Sequence, residues 1–128
     1  VIIGDGKVGF TLTQALSEEG HEITVIDSKA ERVQATVDAL DVIGYIGNGN
    51  SYKMQKEAGV EEADLVIAVT SQDEVNLLSC LIAKKAGNCK TIARVRNPEY
   101  MDEIDYIRDE LGLSLCINPE FATARDIV

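Results

Sequence analysis

The apolar residues of this 128-residue chain fall into short runs separated by amphipathic stretches. The runs are Val1-Ile2-Ile3, Ile23-Thr24-Val25-Ile26, Val42-Ile43-Gly44-Tyr45-Ile46, Leu65-Val66-Ile67-Ala68-Val69, Thr91-Ile92-Ala93-Arg94-Val95 and Leu113-Ser114-Leu115-Cys116-Ile117. Near-continuous apolar character is the pattern of strands covered on both faces. Between them the apolar spacing turns helical. Val8, Leu12, Ala15 and Leu16 predict a first helix ending near Gly20, a C′ glycine. Val33, Val37 and Leu40 predict a second, and Met54 lies in a short third closed by Gly59. A fourth runs from about Asp73 to Ala86 with Leu77, Leu78, Leu81 and Ile82 inward, and Gly87 ends it. Pro98 starts a fifth with Tyr100, Ile104, Ile107 and Leu111 on its face, and Pro119 begins a last one. Strands alternating with helices predict an α/β fold. With right-handed crossovers this is a doubly wound parallel six-stranded sheet, Rossmann-like, in the order 3-2-1-4-5-6.

Size and composition narrow the class. The length suits one domain, residues 1–128, able to bury a core without disulfides. Aromatic residues are 5% and Trp is absent, so that core is aliphatic. The formal net charge is −10 and the nearest approach to a basic run is Lys84-Lys85. Nucleic acid is therefore not an expected partner, since phosphate neutralisation dominates that affinity. An anionic ligand must instead be held by local donors against an unfavourable overall field. No 18-residue apolar run exists, so direct membrane insertion is not expected. Cys80, Cys89 and Cys116 are odd in number and scattered, the mark of free thiols in a reducing compartment. The chain starts inside a strand and stops on Ile127-Val128 in a helix, so it reads as a domain truncated at both ends.

The candidate chemistry begins with Gly4-Asp5-Gly6-Lys7-Val8-Gly9, a Gly-x-Gly-x-x-Gly turn between the first strand and the first helix. Gly4 serves the tight turn, Gly6 lets a pyrophosphate lie on the backbone, and Gly9 lets the helix pack closely. The free N–H groups and positive dipole end of that helix face the anion. Asp27 ends the second strand, where this fold places a carboxylate that accepts the ribose hydroxyls. Together these predict an adenine nucleotide, without separating NAD from ATP or ADP. Lys7 either reaches a phosphate or is a solvated lysine at a helix start. In Gly47-Asn48-Gly49, Asn48 has the amide an adenine edge needs; the competing assignment is a left-handed turn residue. Thr70 and Ser71 either hydrogen-bond the ligand or cap the fourth helix, capping being the favoured role of Ser71. His21, the only histidine, belongs to the opposite rim. There is no Ser-His-Asp set, no metal-ligand cluster and no second domain for a substrate, so binding is expected and catalysis is not.

A set of segments then carries a family resemblance. Gly4 to Gly9, Gly20-His21-Glu22-Ile23-Thr24-Val25-Ile26-Asp27, Gly47-Asn48-Gly49, Ala58-Gly59-Val60-Glu61-Glu62-Ala63-Asp64, Ala68-Val69-Thr70, Asp73-Glu74-Val75-Asn76 and Ala93-Arg94-Val95-Arg96-Asn97-Pro98-Glu99-Tyr100 occur in order. Together they resemble the TrkA-type N-terminal RCK (KTN) domain of bacterial potassium transport, over essentially the whole chain. The resemblance implies a cytoplasmic regulator, at the inner face of the membrane, that binds NAD(H) or ATP/ADP. It implies a homodimer assembling into a larger ring against a membrane potassium-transport subunit, and nucleotide exchange that gates ion flow. The site residues it implies are Gly4, Asp5, Gly6, Lys7, Val8, Gly9, Asp27, Ser28, Arg32, Gly47, Asn48, Gly49, Val69, Thr70 and Arg94. Lys7 and Arg94 are where mono- and dinucleotides would differ. The family often has Asp where Asn48 stands. Its Pro-Glu near the dimer interface, which in some members helps hold a cation, maps onto Pro119-Glu120. The last helix, with Phe121, Ile127 and Val128, is expected to pack on a partner subunit. The alternative function is the cofactor-binding domain of a truncated NAD-dependent dehydrogenase, and a protein-interaction module with a degenerate site is a third.

Overall fold

The structure, a computed structural model, describes residues 1–111 and 115–117. The strands are β1 (Ile2–Ile3), β2 (Thr24–Asp27), β3 (Ile43–Ile46), β4 (Leu65–Ala68) and β5 (Lys90–Arg94). The helices are α1 (Lys7–Glu18), α2 (Ala30–Ala39), α3 (Tyr52–Glu57), α4 (Asp73–Gly87) and α5 (Pro98–Leu111). A 3₁₀ turn at Val60–Glu62 lies between α3 and β4. The strands are parallel and run β3-β2-β1-β4-β5. Outside β5, Leu115–Ile117 pair in parallel with Ile92–Arg94. The expected helix from Pro119, with Glu120, Phe121, Ile127 and Val128, lies outside the described residues, as do Leu113 and Ser114 and the side chains of Ile107 and Leu111.

The core forms two layers, one on each face of the sheet. Ile3, Ile26, Val66 and Ala68 meet Cys80 and Ala83 of α4 on one side. Ile2, Val25 and Ile67 meet Leu12 and Leu16 of α1 on the other. Cys80 and Cys89 are buried. Gly20 and Gly59 take the left-handed conformation that closes α1 and α3, as expected. Ser51 caps α3 by accepting the Met54 N–H at 3.3 Å.

Several expectations need correction. β3 is an edge strand, and Ile43 and Ile46 are 61% and 57% exposed, so it is not covered on both faces. On α4, Leu78 and Leu81 point outward, while polar Asp73, Asn76 and Ser79 are buried beside Cys80 and Ala83. The inward face of α4 is narrow because it lies close to the sheet and must satisfy strand-end backbone groups. Helix α4 also runs through Gly87; Asn88, at φ 52°, is its left-handed cap. Gly87 is required for contact, since a Cβ there would stand 2.4 Å from the Val60 carbonyl oxygen. On α2 the buried positions are Val33 and Thr36, with Val37 exposed.

Candidate functional site

Parallel strands put all their carboxyl ends on one rim, and the hydrogen-bond ladder continues past the strands to align the loops there. The Gly4 N–H donates to the Ile26 carbonyl at 2.8 Å and the Gly47 N–H to the Asp27 carbonyl at 2.9 Å. Between these loops lies a cleft of about 290 Å³ whose walls include Gly4, Asp27, Ser28, Gly47, Asn48, Gly49 and Thr70. Seven of the candidate residues thus share one surface at the switch point between β1 and β4, where this fold binds ligands. Ile3, Ile26, Asn50, Ser71, Gln72 and Val75 complete the walls.

The glycine turn has the geometry its spacing predicts. Gly4 has φ +104°, unfavourable for any side chain. A Cβ on Gly9 would lie 1.8 Å from the Gly4 carbonyl oxygen, so α1 closes against the turn itself. A Cβ on Gly6 would meet only the Arg32 guanidinium, at 3.6 Å, which leaves its outer side open. Helix α1 has Gly6 as N-cap, no side-chain cap and no acid in its first turn. The start of α1 thus has no side-chain oxygen of its N-cap or first turn on its first N–H groups.

Asp27 is held rigidly. Its Oδ2 accepts the Asp5 N–H at 2.7 Å and its Oδ1 accepts the Lys29 N–H at 2.8 Å. Arg32 Nη1 lies 3.9 Å from Oδ2 on the solvent side. Each carboxylate oxygen retains an unused lone pair, the requirement for accepting two hydroxyls. Asp5 lies behind the turn, 4% exposed. Its Oδ2 accepts the Thr36 hydroxyl at 2.6 Å and its Oδ1 is buried without a partner. Burial pushes the Asp5 carboxyl above the usual carboxylate range; the Thr36 hydrogen bond opposes this, the Asp27 charge adds to it, and Arg32 opposes it.

Lys7, Val8, Val69 and Arg94 stand apart from the cleft walls. Lys7 is exposed on the first turn of α1. Val8 and Val69 pack in the core, leaving only backbone for a ligand. Arg94 is half-buried, and its Nη1 donates to the Thr70 carbonyl at 3.2 Å. Asn48 is not left-handed, since Asn88 is the only non-glycine residue at positive φ among the described residues. Ser71 does not cap α4: the N-cap is Gln72, with no side-chain bond.

Asn76, which is not among the residues expected from sequence to form the site, shapes this rim. It is fully buried, and its Oδ1 accepts the Thr70 N–H and hydroxyl at 2.8 and 2.7 Å. Its Nδ2 donates to the carbonyls of Thr70 at 3.1 Å and Arg94 at 2.9 Å. Asp73 does the equivalent for the next loop, accepting the N–H groups of Arg96 and Asn97 at 3.0 and 2.9 Å. Polar residues at the i and i+3 positions of a helix otherwise facing the core were the available signal.

Comparison with known proteins agrees with this architecture. The family model described as the TrkA-N domain matches residues 1–119. A Trk system potassium uptake protein TrkA homolog of Archaeoglobus fulgidus is 41% identical over 126 residues, covering 98% of this chain and 28% of that protein. A homolog of the same description from Methanothermobacter thermautotrophicus is 36% identical over 124 residues, covering 97% of this chain and 56% of its own length. The chain therefore spans about a quarter to just over half of these relatives. Among solved structures, the TrkA-N domain of the inner membrane protein ybaL from Escherichia coli superposes with TM-score 0.81 at 24% identity, covering 98% of this chain and 90% of that one. The GsuK channel bound to NAD gives 0.76 at 19% identity over 91% of this chain and 20% of that one. The Shewanella denitrificans Kef C-terminal domain in AMP-bound form gives 0.77 at 18% over 94% and 70%. At these identities the structural likeness establishes the fold.

Proposed function

Because the chain belongs to the TrkA-N domain family, we propose that it is the nucleotide-binding regulatory module of a potassium uptake or channel system. The observation that carries this reading is the carboxylate of Asp27, fixed by two backbone N–H groups beside the open face of Gly6 and the uncapped start of α1. A ribose on Asp27 puts the following phosphates over Gly6 and the first turn of α1, with Lys7 and Arg32 as the nearest flexible cations. The adenine edge then lies toward Gly47, Asn48 and Gly49, with Thr70 on the opposite wall. The ligand class is NAD(H) or ATP/ADP; the GsuK channel with NAD and the Kef domain with AMP support the shared adenosine. The names of the relatives support a regulatory component of potassium uptake over a dehydrogenase.

The rest of the reading follows the family. The module sits on the cytoplasmic side and acts on a membrane potassium-transport subunit. Among the described residues no helix is long and apolar enough to cross a membrane. It works as a homodimer within a larger ring. The outward Leu78 and Leu81 of α4, at 44% and 38% exposure, support a covered surface in that assembly. The six-strand order 3-2-1-4-5-6 belongs to the same reading, supported by the parallel register of Leu115–Ile117 on β5. A ligand can shift the ring only through different affinity for its two shapes. Calorimetry with NAD, NADH, ATP and ADP, on wild type and Asp27→Ala, tests the site. Binding in wild type with a loss of about tenfold or more in the variant is expected; no binding of any of the four sinks the reading.

A further inference from the structure

Asp5 is the one buried carboxylate oxygen without a partner among the described residues, and it stands inside the phosphate turn. The other buried unpartnered side-chain oxygens, on Gln55 and Ser79, are neutral and lie at the packing of α3 against α4. Asp5 differs in carrying a charge next to Gly6, where an anion is expected.

The groups facing it come from two elements. Asp27 at the end of β2 presents a second carboxylate, whose Oδ2 accepts the Asp5 N–H. From α2, Thr36 gives its hydroxyl to Asp5 Oδ2, and the Arg32 guanidinium lies 3.9 Å from Asp27 Oδ2 with about half its side chain in water. On the turn itself Lys7 is solvent-exposed. The pocket therefore holds two carboxylates against one shared, partly hydrated cation. A nucleotide phosphate over Gly6 adds a further negative charge to this set. An ionised Asp5 opposes that phosphate, whereas a protonated Asp5 does not. Its Oδ1 is then a hydroxyl and no longer an uncompensated buried anion.

We propose that nucleotide binding at the glycine turn is coupled to uptake of a proton by Asp5, so that the module senses pH together with nucleotide. The proton comes from solvent and adds to the Asp5 carboxylate; no other bond changes. This rests on the nucleotide reading given above. Affinity falls as pH rises, by up to tenfold for each pH unit within the window between the free and bound titrations of Asp5. A phosphate that fills the seat at low pH is shed at high pH without any change in nucleotide concentration.

The test uses NAD, whose pyrophosphate diester stays fully ionised, with an unchanging charge, across the range. Calorimetry between about pH 5 and 8, in two buffers of different ionisation enthalpy, counts the protons taken up. Wild type should take up a fraction of a proton that peaks within the window, and its Kd should rise with pH. Asp5→Asn should bind with a pH-independent Kd and no uptake, while His21→Gln should behave as wild type. Binding without proton uptake in wild type, or uptake that persists in Asp5→Asn, overturns the proposal and leaves the nucleotide site standing. Absence of NAD and ADP binding at every pH overturns both. Should the variant fail to fold, a carbon NMR titration of the wild-type Asp5 carboxyl, with and without NAD or ADP, replaces it. A titration that moves upward with ligand supports the coupling, and one that does not move refutes it.

Discussion

Removing the side chain of Asn76 should damage stability and the candidate site together, and the size of the effect follows from its four hydrogen bonds. Asn76→Ala takes the partner from the Thr70 N–H and the Asn76 donor from the Arg94 carbonyl. The Thr70 carbonyl keeps the Arg94 guanidinium, and the Thr70 hydroxyl keeps Gln72. Two polar groups therefore lose these bonds, at about 1–3 kcal/mol each. Water from the adjoining cleft can recover part of this, which sets the expected loss at about 2–4 kcal/mol, a large share of the ~5–15 kcal/mol typical of a domain. Urea unfolding followed by circular dichroism measures it directly. Asn76→Asp sharpens the test. It keeps both acceptor bonds to Thr70 but turns a carboxylate oxygen toward the carbonyls of Thr70 and Arg94. Its folded-state titration is raised by burial and by those carbonyls. Its stability should therefore be greatest below the unfolded-state value near ~3.9 and fall as pH rises through the folded-state value. A loss under about 0.5 kcal/mol for Asn76→Ala, the scale of an ordinary surface change, would refute the assignment. So would a pH profile for Asn76→Asp parallel to wild type.

Further outcomes follow from the same geometry. Gly6→Ala, whose Cβ meets only a movable guanidinium, should fold at near wild-type stability yet lose about tenfold or more in nucleotide affinity, about 1.4 kcal/mol. Gly9→Ala, whose Cβ would press on the Gly4 carbonyl, should lose upward of ~3 kcal/mol of stability or fail to fold; calorimetry and urea unfolding separate the two. Asp5→Asn should be more stable than wild type at neutral pH. Burial raises the folded Asp5 carboxyl above its unfolded value, so its contribution is full below about 4 and is lost as pH rises, and the advantage of the variant should vanish in acid. The double variant Leu78→Glu with Leu81→Glu should keep the wild-type circular dichroism spectrum but sediment as a smaller species, because both side chains already stand in solvent within one subunit.

What could be read from the sequence tracks the range over which each determinant acts. Strand runs, glycine spacing and Asp27 depend on neighbours in the chain, so they stand out as pattern. The roles of Asp5 and Asn76 depend on partners brought together by the sheet order: Thr36 is 31 residues from Asp5, and Arg94 is 18 from Asn76. Within Gly4-Asp5-Gly6, Asp5 reads as one of the site residues of the turn, and only the approach of α2 turns it into a buried acid. Helix α4 misleads for a related reason. It carries leucines at Leu77, Leu78 and Leu81, enough for two faces, and apolar count alone cannot say which face meets the sheet. The deciding demand is polar. The ends of β4 and β5 leave backbone groups that must be satisfied, and Asp73 and Asn76 satisfy them, so their face turns inward and Leu78 and Leu81 turn out. Asp27 follows the same rule on the neighbouring loops, since its oxygens first secure Asp5 and Lys29. An acid at a strand end in this fold therefore acts as an amide clamp before it can act as a ligand acceptor. Whether it does both depends on which lone pairs remain, and at Asp27 one on each oxygen does.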